Sequence, residues 1–406
     1  MTWEIMSLNK VGNIFSGNSI NAKIKKEKFL NIASGTPYIA TKDISYDYII
    51  EYDNGVRIPD NELSKFRIAH KNSIFICAEG GSAGRKLAFN TKDVCFVNKL
   101  FALEPFDFME PGYVFYFYQT TDFQEQFKSK MTGLIGGVSI GKFKNINIRV
   151  PPLPVQKQIV AILDEAFEKI SNAKEDAEKN LNNAKEVFES YLQSVFENKG
   201  EGWETRTLLK VSNEITDGSH FSPKSSTEEE YPYITVRDIE EDTINFKSCK
   251  FINKVNYQIL LKNGCKPNSG DILFSKDGTV GKVSLIDFEK EFVVLSSLAI
   301  IRPKRDVIYS SLLKYILKNP SFLKIAMGKK TGAAIRRIIL KNLKLIEINF
   351  PTAISEQEIL AAKLDALFEQ TKKLEAIYTQ KLADLEELKQ SILQKAFNGE
   401  LMEVPA

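Results

Sequence analysis

Two stretches of the chain keep a helical period without interruption. From Val155 to Lys199, and again from Thr352 to Asn398, neither Gly nor Pro occurs. Alternating steps of three and four residues from Val160 fall on Leu163, Phe167, Ile170, Lys174, Ala177, Leu181, Ala184, Phe188, Tyr191 and Val195, and Lys174 is the one position in that series that is not apolar. Such a stripe predicts a long helix that meets another helix along one seam. The second stretch gives Ala361, Leu364, Phe368, Thr371, Glu375, Tyr378, Leu382, Leu385, Lys389, Ile392 and Ala396, a weaker stripe whose apolar face Leu367, Leu374 and Leu388 widen. Ser355 and Glu358 form a capping-box pair at its start, and Gly200 and Gly399 stand where the two helices should stop. At about 1.5 Å per residue, a helix of ~45 residues is ~65 Å long, against ~11–12 residues for an average helix.

The rest of the chain reads differently. Short β-rich runs (Ser73 to Cys77, Val94 to Leu103, Asp271 to Ser275, Phe292 to Ile301) are punctuated by Gly, Pro and Asn, with helical pieces at Pro111 to Met131 and Ser310 to Met327. The predicted class is α+β, with four segments: mixed α/β globules at 1–150 and 201–350, and long helices at 151–200 and 351–406. Domain termini tend to lie close together, so the two helices should run antiparallel and hold two similar globules apart with pseudo-twofold symmetry.

The two halves are copies of one another. WEIMSLNKVGNIFSG from Trp3 recurs as WETRTLLKVSNEITDG from Trp203, and TPYIATKDI (Thr36 to Ile44) returns as YPYITVRDI (Tyr231 to Ile239). SIFICAEGGSAGR (Ser73 to Arg85) returns as DILFSKDGTVGK (Asp271 to Lys282), Thr132-Gly133 as Thr331-Gly332, Pro151 as Pro351, Leu163-Asp164 as Leu364-Asp365, and LQSVF (Leu192 to Phe196) as LQKAF (Leu393 to Phe397). The pairs keep their order and nearly their spacing, which defines a duplication of roughly 200 residues.

Composition narrows the class. The 406 residues are 43% hydrophobic and 26% charged, as in a globular protein with a large core. The longest uncharged apolar run, Phe292 to Ile301, is far short of the ~20 residues that span a bilayer, and the N-terminus lacks a secretory signal. Four scattered cysteines and two histidines leave little material for disulfide scaffolds or metal sites, and a cytoplasmic location is expected. Charge is partitioned. Residues 1–150 carry 19 Lys and Arg against 15 Asp and Glu, a net of +4, and residues 201–350 carry 24 against 18, a net of +6. The helical segments are acidic, with nets of −3 (151–200) and −4 (351–406). Basic modules paired on an acidic helical frame suit a reader of duplex DNA.

Lys324, Lys329, Lys330, Arg336, Arg337, Lys341 and Lys344 gather around Thr331-Gly332, and Lys128, Lys130, Lys142 and Lys144 around Thr132-Gly133. A Gly-bearing loop rich in Lys and Arg can approach a phosphate backbone closely. Catalytic motifs are missing. Gly136 to Lys142 (GGVSIGK) nearly matches a phosphate-binding loop, but Phe143 stands where the Mg²⁺-binding hydroxyl should be. Asp217 to His220 (DGSH) has Gly17-Asn18-Ser19-Ile20 as its first-half counterpart, and a DNA-facing or turn-forming loop explains it better than catalysis.

Together these residues resemble the specificity subunit of type I restriction-modification systems. The resemblance covers essentially the whole chain: the globule–helix–globule–helix duplication, Ile215 to Pro223 (ITDGSHFSP), Asp271 to Lys282, the Thr-Gly loops, and Val150 to Phe167 (VPPLPVQKQIVAILDEAF) leading into the first helix. It implies two target recognition domains, each reading half of a split sequence in double-stranded DNA. It also implies helices that set the spacer and dock two modification (methyltransferase) subunits, with a restriction subunit (endonuclease and translocase) joining them. The chain itself would be non-catalytic and bind no cofactor, with S-adenosylmethionine, ATP and Mg²⁺ belonging to the partners. Expected DNA-binding residues are Glu79, Gly81, Ser82, Arg85, Lys130, Thr132, Gly133, Lys142 and Lys144 in the first half. In the second they are Thr216, Asp217, Gly218, Ser219, His220, Lys276, Asp277, Thr279, Lys282, Lys329, Lys330, Thr331, Gly332, Arg336, Arg337 and Lys341. FPTAISEQEI is a degenerate copy of PPLPVQKQI, and the first half lacks the DGSH element. The rival reading is an architectural coiled-coil protein that binds DNA without sequence choice.

Overall fold

The structure is a computed structural model that describes residues 3–133, 136–226, 230–240, 242–328 and 337–402. The chain forms two compact units, residues 1–177 with 380–406 and residues 178–379. Both long helices, Leu153–Glu197 and Ile354–Asn398, contribute to both units.

In the first unit a four-stranded antiparallel sheet runs in the order Gly12–Ser16, Leu100–Pro105, Ile74–Cys77, Leu87–Phe89. A second sheet contains Thr36–Ile39 paired in parallel with Val94–Phe96. Glu4–Ser7 pairs with Asn147–Val150, so the ends of the globule meet each other. The second unit repeats this plan. Ser212–Asp217, Leu298–Pro303, Ile272–Ser275 and Val283–Leu285 give the same order, Tyr231–Ile234 runs parallel to Val293–Val294, and Trp203–Thr207 pairs with Glu347–Pro351. The duplication read in the sequence is thus a duplication of strand topology.

The apolar runs Val94 to Leu103 and Phe292 to Ile301 are each broken by a turn. Leu100 N donates to Val97 O (3.1 Å) and Leu298 N to Leu295 O (2.9 Å), so each run serves two sheets. The helical pieces also divide in two. Thr120 caps Thr121–Lys130 through its hydroxyl, and Pro320 begins the second member of the other pair, Pro320–Gly328.

The long helices are antiparallel within each unit. In the first, Ile159 and Leu163 share a core with Leu393, Ala396 and Phe397; in the second, Leu192 and Phe196 share one with Ala361 and Leu364. The expected stripe fails at one end: Tyr191 is exposed, and Leu192 and Phe196 are buried in place of Tyr191 and Val195. The period of a straight helix drifts from the heptad, and here the helix packs on the globule with an i, i+4 face of Phe188, Leu192 and Phe196. Leu374 and Leu388 are exposed rather than part of the seam. The second helix starts at Ile354, which puts Ser355 inside the first turn rather than at the cap.

Two repeated clasps fix each helix to its globule. Gln156, wholly buried, donates to Pro151 O (2.8 Å) and Phe108 O (3.2 Å) and accepts from Glu110 N (2.8 Å). Gln357 does the same with Pro351 O (2.8 Å), Val307 O (2.9 Å) and Tyr309 N (2.7 Å). Two turns further on, Tyr116 donates to Asp164 at 2.5 Å and Tyr315 to Asp365 at 2.6 Å. Burial and the adjacent carboxylate both push these hydroxyls far above their ordinary range. The degenerate FPTAISEQEI segment therefore keeps its buried glutamine.

Candidate nucleic-acid interface

Strand order decides which loops meet. In the antiparallel sheet of the first unit, Ser16, Leu100, Cys77 and Leu87 end or begin their strands at the same edge. Three connections emerge there: the segment after Ser16, the turn Val97–Leu100, and the loop Ala78–Lys86. The Thr132-Gly133 region joins them. Glu79 bridges Gly137, Gly80 N donates to Gly136 O (2.9 Å), Val138 N to Ala78 O (3.0 Å), and Thr132 N to Gly137 O (2.8 Å). Glu79, Lys99, Thr132, Gly133 and Ser139 line one open cleft of about 560 Å³. Motifs about 50 residues apart in sequence thus form one polar edge.

The second unit builds the equivalent edge. Asp277 bridges Arg337, and Ile338 N donates to Lys276 O at 2.9 Å. Ser219 N donates to Val294 O (2.8 Å), as Asn18 N does to Phe96 O (2.8 Å). This equivalence corrects the register read from sequence by one residue: Asp217, Gly218, Ser219 and His220 answer Ser16, Gly17, Asn18 and Ser19. A second pairing changes as well. Ser275 N donates to Lys282 O and Cys77 N to Lys86 O. Lys86, not Arg85, is therefore the partner of Lys282, because the first loop has two more residues. Both lysines turn inward onto a short helical turn, Lys86 Nζ to Thr41 O (3.1 Å) and Lys282 Nζ to Val236 O (3.2 Å) and Ile239 O (2.7 Å).

A twice-built polar edge on duplicated topology is matched by a twice-occurring family signature. The type I restriction modification DNA specificity domain family matches residues 1–182 and again residues 200–386. The chain belongs to this family. It is a DNA specificity subunit of a type I restriction-modification system. It is 22% identical to the type I restriction enzyme EcoBI specificity subunit of Escherichia coli over 98% of this chain and 86% of that protein. It is 23% identical to the MjaVIII specificity subunit of Methanocaldococcus jannaschii, over 98% and 93%. Among solved structures, a chain from a study titled for complex assembly and conformational transition of the type I R-M system superposes with a TM-score of 0.77 at 19% identity, over 98% of both chains. The HsdS subunit from Thermoanaerobacter tengcongensis gives 0.58 at 20% identity, over 98% and 97%. These structural likenesses concern the fold.

In this specificity subunit the expected residues divide by exposure. Glu79, Gly81, Arg85, Thr132, Gly133, Lys142, His220, Thr279, Arg337 and Lys341 are exposed at or beside the two edges, and Ser82, Lys130 and Lys144 are half-buried. Thr216, also half-buried, lies within its strand opposite Ile300. Gly218 and Ser219 are buried and shape the turn; the Ser219 hydroxyl donates to Phe221 O at 2.6 Å. Lys276 is a correction. It is 4% exposed and pairs with Asp217 (3.2 Å) and Asp277 (3.4 Å), so its ammonium is an internal charge and not a surface one. Lys329, Lys330, Thr331, Gly332 and Arg336 lie outside the described residues.

Sequence reading missed three parts of the edges. The turn residues Asn98-Lys99 and Ser296-Ser297 sit between adjacent connections, with Ser19 donating to Asn98 Oδ1 at 2.6 Å and Ser296 N to Ser219 O at 2.9 Å. Tyr46, 54% exposed, holds its hydroxyl 3.2 Å from Ser82 Oγ, with the Arg85 guanidinium 5.7 Å and the Lys86 ammonium 5.1 Å from its ring centroid. The polar turns were hidden inside apolar runs, and the tyrosine lies some 40 residues from the loop it joins. Among the described residues, no cluster of His, Cys, Asp and Glu could hold a metal, and no helix is long and apolar enough to cross a membrane.

Proposed function

We propose that each unit reads one half of a split target in double-stranded DNA, and that the chain directs methylation and cleavage performed by other subunits. The observation that carries this reading is the pair of equivalent polar edges, each built from the same strand ends and filled with different side chains. A shared frame with changed edge residues is what two different half-sites require, because phosphate contacts position a protein while base contacts must vary with the target. Arg85, Lys99 and Lys142 would supply cationic contacts in the first unit, and Arg337 and Lys341 in the second, where His220 would add a polar one.

Modification subunits, two in number, would dock along the long helices, and a restriction subunit would complete the assembly. Exposed apolar side chains support this use of the helices: Val187 and Tyr191 on the first, Ile359, Leu374, Ile377 and Leu388 on the second. S-adenosylmethionine, ATP and Mg²⁺ would reside on those partners, and the chain would do no chemistry itself. The deciding experiment expresses the chain with its modification subunit in cells lacking other DNA methylation and sequences the modified bases. One bipartite motif with an unread gap is the expected result. Binding of any duplex with equal affinity would favour the architectural alternative.

A further inference from the structure

Lys276 is a charged side chain that the backbone does not need where it stands. In the first unit Ala78 holds the same position: its N donates to Lys99 O (2.9 Å) and its O accepts from Val138 N (3.0 Å), as Lys276 N donates to Ser297 O (3.0 Å) and its O accepts from Ile338 N (2.9 Å). A methyl group suffices for the loop. The second unit instead buries an ammonium between Asp217 Oδ1 and Asp277 Oδ2, an arrangement that is costly unless every partner is satisfied. Satisfaction is incomplete. Asp277 Oδ1 and Ser297 Oγ, two of the five buried side-chain polar atoms without a hydrogen bond among the described residues, lie at this one edge, and Asp217 Oδ1 there has the Lys276 ammonium as its partner. Groups left so in a native fold call for a physical reason.

The charge leads outward. Asp217 Oδ2 is 3.3 Å from His220 Nε2, and the His220 side chain is 72% exposed. The first-unit counterparts, Ser16 and Ser19, carry no charge, so the Lys–Asp–His arrangement belongs to the second unit alone. We propose that Lys276 is a positioning residue: it fixes Asp217, and through Asp217 it aims His220 at a hydrogen-bond acceptor of the DNA in the second half-site, an assignment that rests on the DNA-reading function above. With a proton on each ring nitrogen, His220 would donate from Nε2 to Asp217 and from Nδ1 to the DNA. A phosphate oxygen or the N7 and O6 atoms of guanine offer the matching acceptor. Lys276 also offsets carboxylates that would otherwise face a polyanion uncompensated.

The test uses the full chain assembled with its modification subunit. His220→Ala removes the exposed donor. The pair Lys276→Ala with Asp217→Ser restores the first unit's residues and should unfold at the wild-type temperature. Both variants are expected to lose about 5- to 100-fold in affinity for the cognate duplex, with the first half-site unchanged. Combining all three substitutions should cost no more than either variant alone, since the residues act through one contact. Relaxed choice at one second-half-site position in the methylated motif identifies guanine as the acceptor. Uniform weakening with a shallower salt dependence identifies phosphate. Wild-type affinity and motif in either variant, or additive losses, would overturn the assignment. A wild-type complex with no bipartite motif would instead refute the underlying DNA-reading function.

Discussion

Gly17 and Gly218 have no side chain because a carbonyl occupies the space where one would go. A Cβ at Gly17 would overlap Phe96 O, and one at Gly218 would overlap Val294 O and Leu295 O. Neither has a left-handed backbone, so the constraint is close approach rather than φ. Each glycine brings the end of the antiparallel strand before it against the parallel strand of the other sheet, and this contact closes the polar edge. Gly218→Ala is expected to destabilise the second unit by about 1–3 kcal/mol, seen as a lower denaturation midpoint. Gly278→Ala, a glycine with open space around it but φ of 69°, should cost less. Equal losses would mean that the close approach is not what constrains Gly218.

At the scale of elements, the long helices do two jobs with one sequence pattern. Their N-terminal ends are held by buried glutamines and Tyr–Asp pairs, while their middles carry the heptad stripe in which Thr371 is buried and Glu375 half-buried. If the helices set the unread gap, lengthening both should change that gap alone. Inserting one heptad after Ala177 and another after Thr379 preserves the stripe and adds about 10 Å of helix, or about three base pairs at ~3.4 Å each. The methylated motif should then keep both half-sites and gain about three unread positions. An unchanged gap would show that the helices do not measure it.

At the scale of the molecule, duplication makes the two readers separable. Each globule closes on itself through its terminal strand pair, Glu4–Ser7 with Asn147–Val150 and Trp203–Thr207 with Glu347–Pro351, so it can be exchanged as a unit. Replacing residues 1–150 by the matching segment of a relative should change one half of the methylated motif and leave the other intact. A change in both halves would mean that the edges do not read independently.

The amino-acid sequence by itself determined the duplication, the two long helices and the pairing of most loops, because periodicity and repetition are local properties of a chain. It also marked the Thr132-Gly133 and Glu79–Arg85 segments as polar and basic. What it left open was decided by strand order. Only the antiparallel sheet sets Asp217, Lys276 and Ser297 side by side and buries a lysine that looks like a phosphate ligand, and only the packed fold brings Tyr46 to Ser82. Burial and cross-strand neighbours depend on residues distant along the chain, and a linear pattern does not encode which face of a loop the folded sheet will close.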